Sequence, residues 1–337
     1  MSGQAVRALT ALGILISATA CDNVEWGGVD FRLLPPPEAA VSPSDSIVAE
    51  GEAEIELPTR PVLYLASRDS GGLTLVPVGE ILRDSIRGFP TDDEAPGYRG
   101  DFARVLMPKG SRFTLFSAGA RVGTFTVAEV GTDDSFCTAR PRALGYTELV
   151  PSAAEATRFL ALPEEAAAGR DYTPYQPSEN DRAQREAAIA AAARVIPEVG
   201  ATPPAGDLIN ARADLMAFPL ATGGSAVTST FVYRDMGFVQ PATPTSYSIF
   251  VLATGEGEQY TPAFSWYRDA GREGKGVPIY YQHLDWDGDG ETEVLLEVRG
   301  ERSRWNATVE RKGNEWRRTF EDSCGAAASP IQAGSGG

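Results

Sequence analysis

The sequence predicts a mainly β chain: two antiparallel β-rich domains joined by a linker and one helix, behind a disordered N-terminal tether. Three observations carry this expectation. Short runs rich in β-branched and aromatic residues recur along most of the chain, separated by Gly-containing turn signals. Gly 35 and Pro 24 in 337 residues exceed average usage, as frequent turns require. One stretch, residues 179–196, has the alanine content and capping pattern of a helix. With 42% hydrophobic and 23% charged residues the chain can bury a core.

Residues 1–20 hold one basic residue (Arg7), an apolar run at 8–16 and small residues at 17–20, the order of a secretory signal. The apolar run is too short for a bilayer-spanning helix, which needs about 20 residues. Residues 21–59 form an acidic, Pro-rich tether with Pro35, Pro36 and Pro37 and acids from Glu50 to Glu56. Such composition buries too little apolar surface to offset the entropy of ordering.

Residues 60–162 read as a small β-domain. Strands are expected at 62–66 and 73–78 around the Asp69-Ser70-Gly71-Gly72 turn, and at 159–162. A hairpin is expected from 112–117 and 121–130 around Ala118-Gly119-Ala120, with a bulge near Gly123 where the alternation slips. Residues 163–205 contain the linker and the 179–196 helix, with Ser178 as N-cap, Asp181 three residues on and Pro197 as its stop. Residues 206–324 form a second β-rich domain, with strands at 214–220, 227–234, 246–253, 263–267, 279–284, 293–299, 305–311 and 315–320. Sequential short strands with tight turns favour an antiparallel meander. Residues 325–337 read as a disordered tail.

The net charge of -16 excludes a nucleic-acid partner, because phosphate binding needs a basic footprint. It equally disfavours a membrane contact made through surface charge, and it attracts divalent cations.

Ala18-Thr19-Ala20-Cys21 resembles the lipobox of bacterial lipoproteins, with Ala18 where leucine is usual. The resemblance implies loss of residues 1–20, a lipid on Cys21, and anchoring to a membrane on the periplasmic or extracellular side of the cell envelope. Ala18-Thr19-Ala20 also fits an ordinary signal-peptidase site, which would leave Cys21 free. If Cys21 carries lipid, the two remaining cysteines, Cys137 and Cys324, can pair in an oxidising compartment. That disulfide bond would stabilise by about 4–5 kcal/mol in the chain-entropy model. The alternative is two unpaired thiols.

The sharpest chemistry lies in residues 285–293, Asp-Trp-Asp-Gly-Asp-Gly-Glu-Thr-Glu. Asp285, Asp287, Asp289 and Glu293 can converge on one ion while the glycines permit tight left-handed turns, and the backbone carbonyl of Glu291 would add a ligand. Hard carboxylate oxygens favour a structural Ca2+. An EF-hand would place a bidentate Glu where this chain has Leu296, and it would be flanked by helices rather than strands. A loop closing at Glu293 between two strands resembles the calcium loops of FG-GAP repeats, as in integrin-type propellers, although those repeat the loop in every blade and this chain has one copy. The other reading is an acidic hairpin turn that binds nothing.

Other signals fail. His283 is the only histidine and no G-x-S-x-G elbow accompanies it, so a structural role is expected. Asp69-Ser70-Gly71 has the letters of an aspartic-protease motif but no second copy, and reads as a turn. Trp266, Tyr267, Tyr280, Tyr281 and Trp286 read as core rather than as a sugar platform. No catalytic constellation emerges. The expectation is a lipid-anchored, calcium-stabilised, non-enzymatic binding or scaffolding module for an unknown protein or glycan ligand. The alternative is an exported carboxylate-dependent hydrolase acting on glycans.

Overall fold

A computed structural model describes residues 56–323 apart from 171, 173, 177–179, 222, 235–242 and 244. The signal segment, Cys21, nearly all of the tether, Ser178, Cys324 and the 325–337 tail lie outside the described residues. The molecule is mainly β and antiparallel, as expected.

Its first half builds a barrel from β1 (Val62–Asp69), β2 (Gly72–Ile81), β3 (Ile86–Arg87), α1 (Tyr98–Leu106), β4 (Arg112–Ser117), β5 (Ala120–Asp133), β6 (Arg140–Leu149) and β7 (Arg158–Pro163). The strand order is β1-β7-β4-β5-β6-β2, and β1 pairs back onto β2 to close the ring. Ala118 and Gly119 both have positive φ, 49° and 73°, the primed turn that joins β4 to β5 with the right twist. The expected bulge is present: register slips where Leu115 pairs with Gly123 and Phe116 with Arg121. Tyr64, Phe113, Leu115, Phe125 and Phe159 fill the interior with α1's Phe102.

Beyond the single turn α2 (Glu164–Ala167) comes α3 (Arg182–Glu198). Two sheets follow: β8 (Met216–Pro219), β9 (Ser225–Tyr233), β10 (Tyr247–Glu256) and β11 (Gln259–Asp269); then, after the turn α4 (Ala270–Glu273), β12 (Val277–Leu284), β13 (Glu293–Arg299), β14 (Arg304–Lys312) and β15 (Glu315–Glu321). The sheets, ordered β11-β10-β9-β8 and β12-β13-β14-β15, are both meanders. They pack face to face through Phe250, Leu252, Val294, Leu296, Trp305 and Val309.

Period-2 alternation stacks further layers on this sandwich. On β10, Ile249 and Val251 point the other way, under α3's Ala191, Ala192, Val195 and Ile196. On the opposite sheet, Tyr281, Leu284 and Leu295 face the barrel and share a core with Leu63, Leu65, Val76, Phe116 and Leu160. A bulge at Tyr281 turns that residue toward the barrel, where its hydroxyl donates to the Ala66 carbonyl at 2.6 Å. The run Val62-Leu63-Tyr64-Leu65-Ala66 is apolar throughout because both of its faces are buried.

Three local expectations are revised. Helix α3 begins at Arg182: Asp181, not Ser178, is the N-cap, and it exchanges capping-box bonds with Gln184. Pro197 sits inside its last turn, one residue before the helix ends at Glu198, and so does not stop it at Ile196. Strand β6 and helix α1 are additional. Pro141 and Gly145 disguise the strand, while a helix burying only Tyr98 and Phe102 leaves little periodic signal.

Candidate metal centre

The loop sits at the tip of the β12–β13 hairpin, whose last ladder pair is Leu284 with Glu293. Asp285 folds it from the start: one carboxylate oxygen accepts from the Gly288 N–H at 2.7 Å, the other from the Gly290 N–H at 3.1 Å. Asp287 accepts from the Asp289 N–H at 3.0 Å and Asp289 from the Glu291 N–H at 2.8 Å, a chain of side-chain-capped turns. Gly288 and Gly290 adopt φ of 83° and 90°, where a side chain would be strained. Trp286 is buried in the core shared with the barrel, and its N–H donates to Glu293 Oε2 at 2.9 Å. From the segment after α2, Arg170 Nη1 donates to the Asp285 and Trp286 carbonyls at 3.3 and 3.0 Å.

The result is a convergent oxygen cluster. Asp285, Asp287, Asp289 and Glu293 each place a carboxylate oxygen within 4.8 Å of the others. The side chain of Glu291 instead meets Arg311 at 3.5 Å, so any role for this residue in the loop falls to its carbonyl. Leu296 is buried in the sandwich core.

Electrostatics make the cluster demanding. Glu293 is 4% exposed. Burial, then repulsion from Asp287, Asp285 and Glu310, pushes its carboxyl up to about 10, against one opposing bond from Trp286. Asp287 is also raised, by burial and then by Asp289 and Asp285, with Lys312 opposing. A hard divalent cation would reverse this balance, since calcium takes six to eight oxygen ligands at about 2.3–2.6 Å. The all-oxygen donor set suits that ion.

The remaining candidates are ordinary. His283 is buried and held neutral, its pKa lowered by burial to about 3; Nδ1 lies 2.6 Å from the Tyr280 hydroxyl and the ring stacks on Phe218. Asp69 accepts from the Gly71 N–H at 2.7 Å as a turn residue. Trp266, Tyr280, Tyr281 and Trp286 are all buried. The expected partner of Cys137, Cys324, lies outside the described residues. The buried Glu310 and the clamp from Arg170 escaped sequence reasoning, because they reach the loop from distant segments without a spacing signal.

No family model matches the chain, and no curated protein and no solved structure matches it.

Proposed function

We propose that this chain is a lipid-anchored protein of the bacterial cell envelope whose body is a calcium-stabilised, non-enzymatic module presenting a surface to a protein or glycan ligand. The single observation carrying this reading is the set of four carboxylates within 4.8 Å, one of them buried among other acids. A lipobox-like Cys21 supports the anchor, and a Cys137–Cys324 disulfide suits the oxidising side of the membrane. Because Trp286 sits between loop and barrel, an ion holding the loop would also hold the barrel against the sandwich.

A module is favoured over a hydrolase by the state of the acids around the cavity of about 470 Å³ between the barrel and the edge strand β15. Asp92 pairs with Arg99, Glu94 caps the Thr91 N–H, Glu321 meets Arg268 and Arg318, and Asp322 meets Arg140. Acids so engaged are committed to partners within the protein, whereas glycoside hydrolysis needs a pair of carboxyls free to face the substrate.

Thermal unfolding of the mature chain in calcium and in chelator tests the reading, with Asp287→Ala beside wild type. Extracellular calcium modules bind at about 10⁻⁴–10⁻³ M. Millimolar calcium should then add about 1 kcal/mol, or about 2–4 °C, to wild type and nothing to the variant. Equal midpoints for wild type in the two conditions would reduce the loop to a turn. Cys21→Ser should release the protein from the membrane fraction; continued retention contradicts the anchor.

A further inference from the structure

The face of the loop nearest the barrel forms part of a second cavity, of about 490 Å³, within the size range of small-molecule sites. Gly119 from the β4–β5 turn, Arg170 and Tyr172 from the segment after α2, Leu220 after β8, and His283 and Asp285 at the end of β12 line it. The cavity thus lies where barrel and sandwich meet.

Its polar groups are held in place but incompletely used. His283 is 4% exposed, with its ring fixed by the Tyr280 hydroxyl on Nδ1 at 2.6 Å and by Phe218 stacked at 4.2 Å. The other edge of the ring faces Gly119: a Cβ built there would lie 3.1 Å from Nε2. Among the described residues Nε2 makes no hydrogen bond. The Tyr172 hydroxyl is buried beside the Arg170 guanidinium and, among the described residues, has no hydrogen-bond partner, while its ring packs on Phe116 at 4.6 Å. A buried, unpaired hydroxyl is costly, so its persistence at a cavity wall points to a ligand. Arg170 supplies a guanidinium whose Nη1 is engaged by the loop carbonyls. Asp285 on the same wall has both carboxylate oxygens occupied by the Gly288 and Gly290 N–H groups.

We propose that this cavity binds a small organic carboxylate, whose oxygens accept from His283 Nε2–H, the Tyr172 hydroxyl and the Arg170 guanidinium while its apolar body lies against Leu220. With the single Tyr280 hydroxyl proton on the 2.6 Å contact to Nδ1 rather than on the 3.5 Å contact to Gln282 Oε1, the proton of the neutral imidazole falls on Nε2. The site stands whether or not the loop holds calcium.

Because the chain has a single histidine, its imidazole nitrogen signals report on this cavity without ambiguity. Full-length mature protein labelled with 15N-histidine is titrated with benzoate, and separately with benzyl alcohol as the uncharged analogue. Benzoate should shift the Nε2 resonance saturably and benzyl alcohol should not. Tyr172→Phe, which keeps the ring on Phe116, should weaken benzoate about tenfold, and Arg170→Gln by at least as much. Either an unmoved Nε2 signal at millimolar benzoate or an equal response to benzyl alcohol overturns the proposal. So does undiminished benzoate binding by both variants.

Discussion

Glu293 and Glu297 lie on the same face of β13, 4% and 5% exposed, and differ only in company. Burial pushes both carboxyls up. At Glu297, Arg304 and Arg299 outweigh burial: each places a nitrogen 2.7 Å from a carboxylate oxygen, and the pKa falls below the ordinary range. At Glu293 the neighbours are Asp287, Asp285 and Glu310, and the shift runs the other way. The same strand therefore carries one anion neutralised by the protein and one that the protein leaves to something else. Burial alone does not make a site; burial together with missing compensation does.

Breaking the compensated end should have the largest effect. Arg304→Ala leaves Glu297 with Arg299 alone and also removes the contacts of Arg304 to Asp133 and Ser135. Loss of about 3 kcal/mol is expected in denaturant unfolding, largely restored when Glu297→Gln is added. The opposite holds at the other end. Glu293→Gln should leave the chelated protein as stable as wild type, since the amide resembles the protonated carboxyl, while abolishing the calcium response.

The pH dependence separates the two as well. Glu293 has a folded pKa above its unfolded value, so without metal the folded state binds the extra proton. Its contribution is therefore full below about 4.5 and is lost as pH rises toward about 10. Glu297 has a lowered folded pKa, so its contribution is present above the unfolded value and is lost as pH falls through the folded one. Chelated Glu293→Gln should flatten the alkaline loss, and Glu297→Gln the acid loss. The smallest effect is expected from Arg311→Ala, at the partly exposed pair with Glu291: about 0.5 kcal/mol or less.

What was legible in the sequence was local. Residues 112–117 and 293–299 are strands with the expected ends, because turns at Ala118-Gly119 and at the acidic loop delimit them. The four convergent carboxylates fall within nine residues, so their spacing alone exposed them. The pairing of β1 with β7, with Tyr64 opposite Ala161, joins segments far apart in the chain and left no pattern to read. The compensation at Glu297 was likewise invisible, since Arg304 and Glu297 are matched only when β13 and β14 pair. His283 is buried and stacked on Phe218, and the cavity before its Nε2 depends on the barrel and has no trace in sequence.

Isothermal titration of the metal-free mature chain with calcium, in buffers of different ionisation enthalpy near pH 8, tests the central claim most directly. If Glu293 is the uncompensated carboxylate of a metal centre, wild type binds one calcium and releases about one proton with it, and Glu293→Gln loses the binding. Absence of binding, or a Glu293→Gln variant that binds calcium as wild type does, would contradict the account.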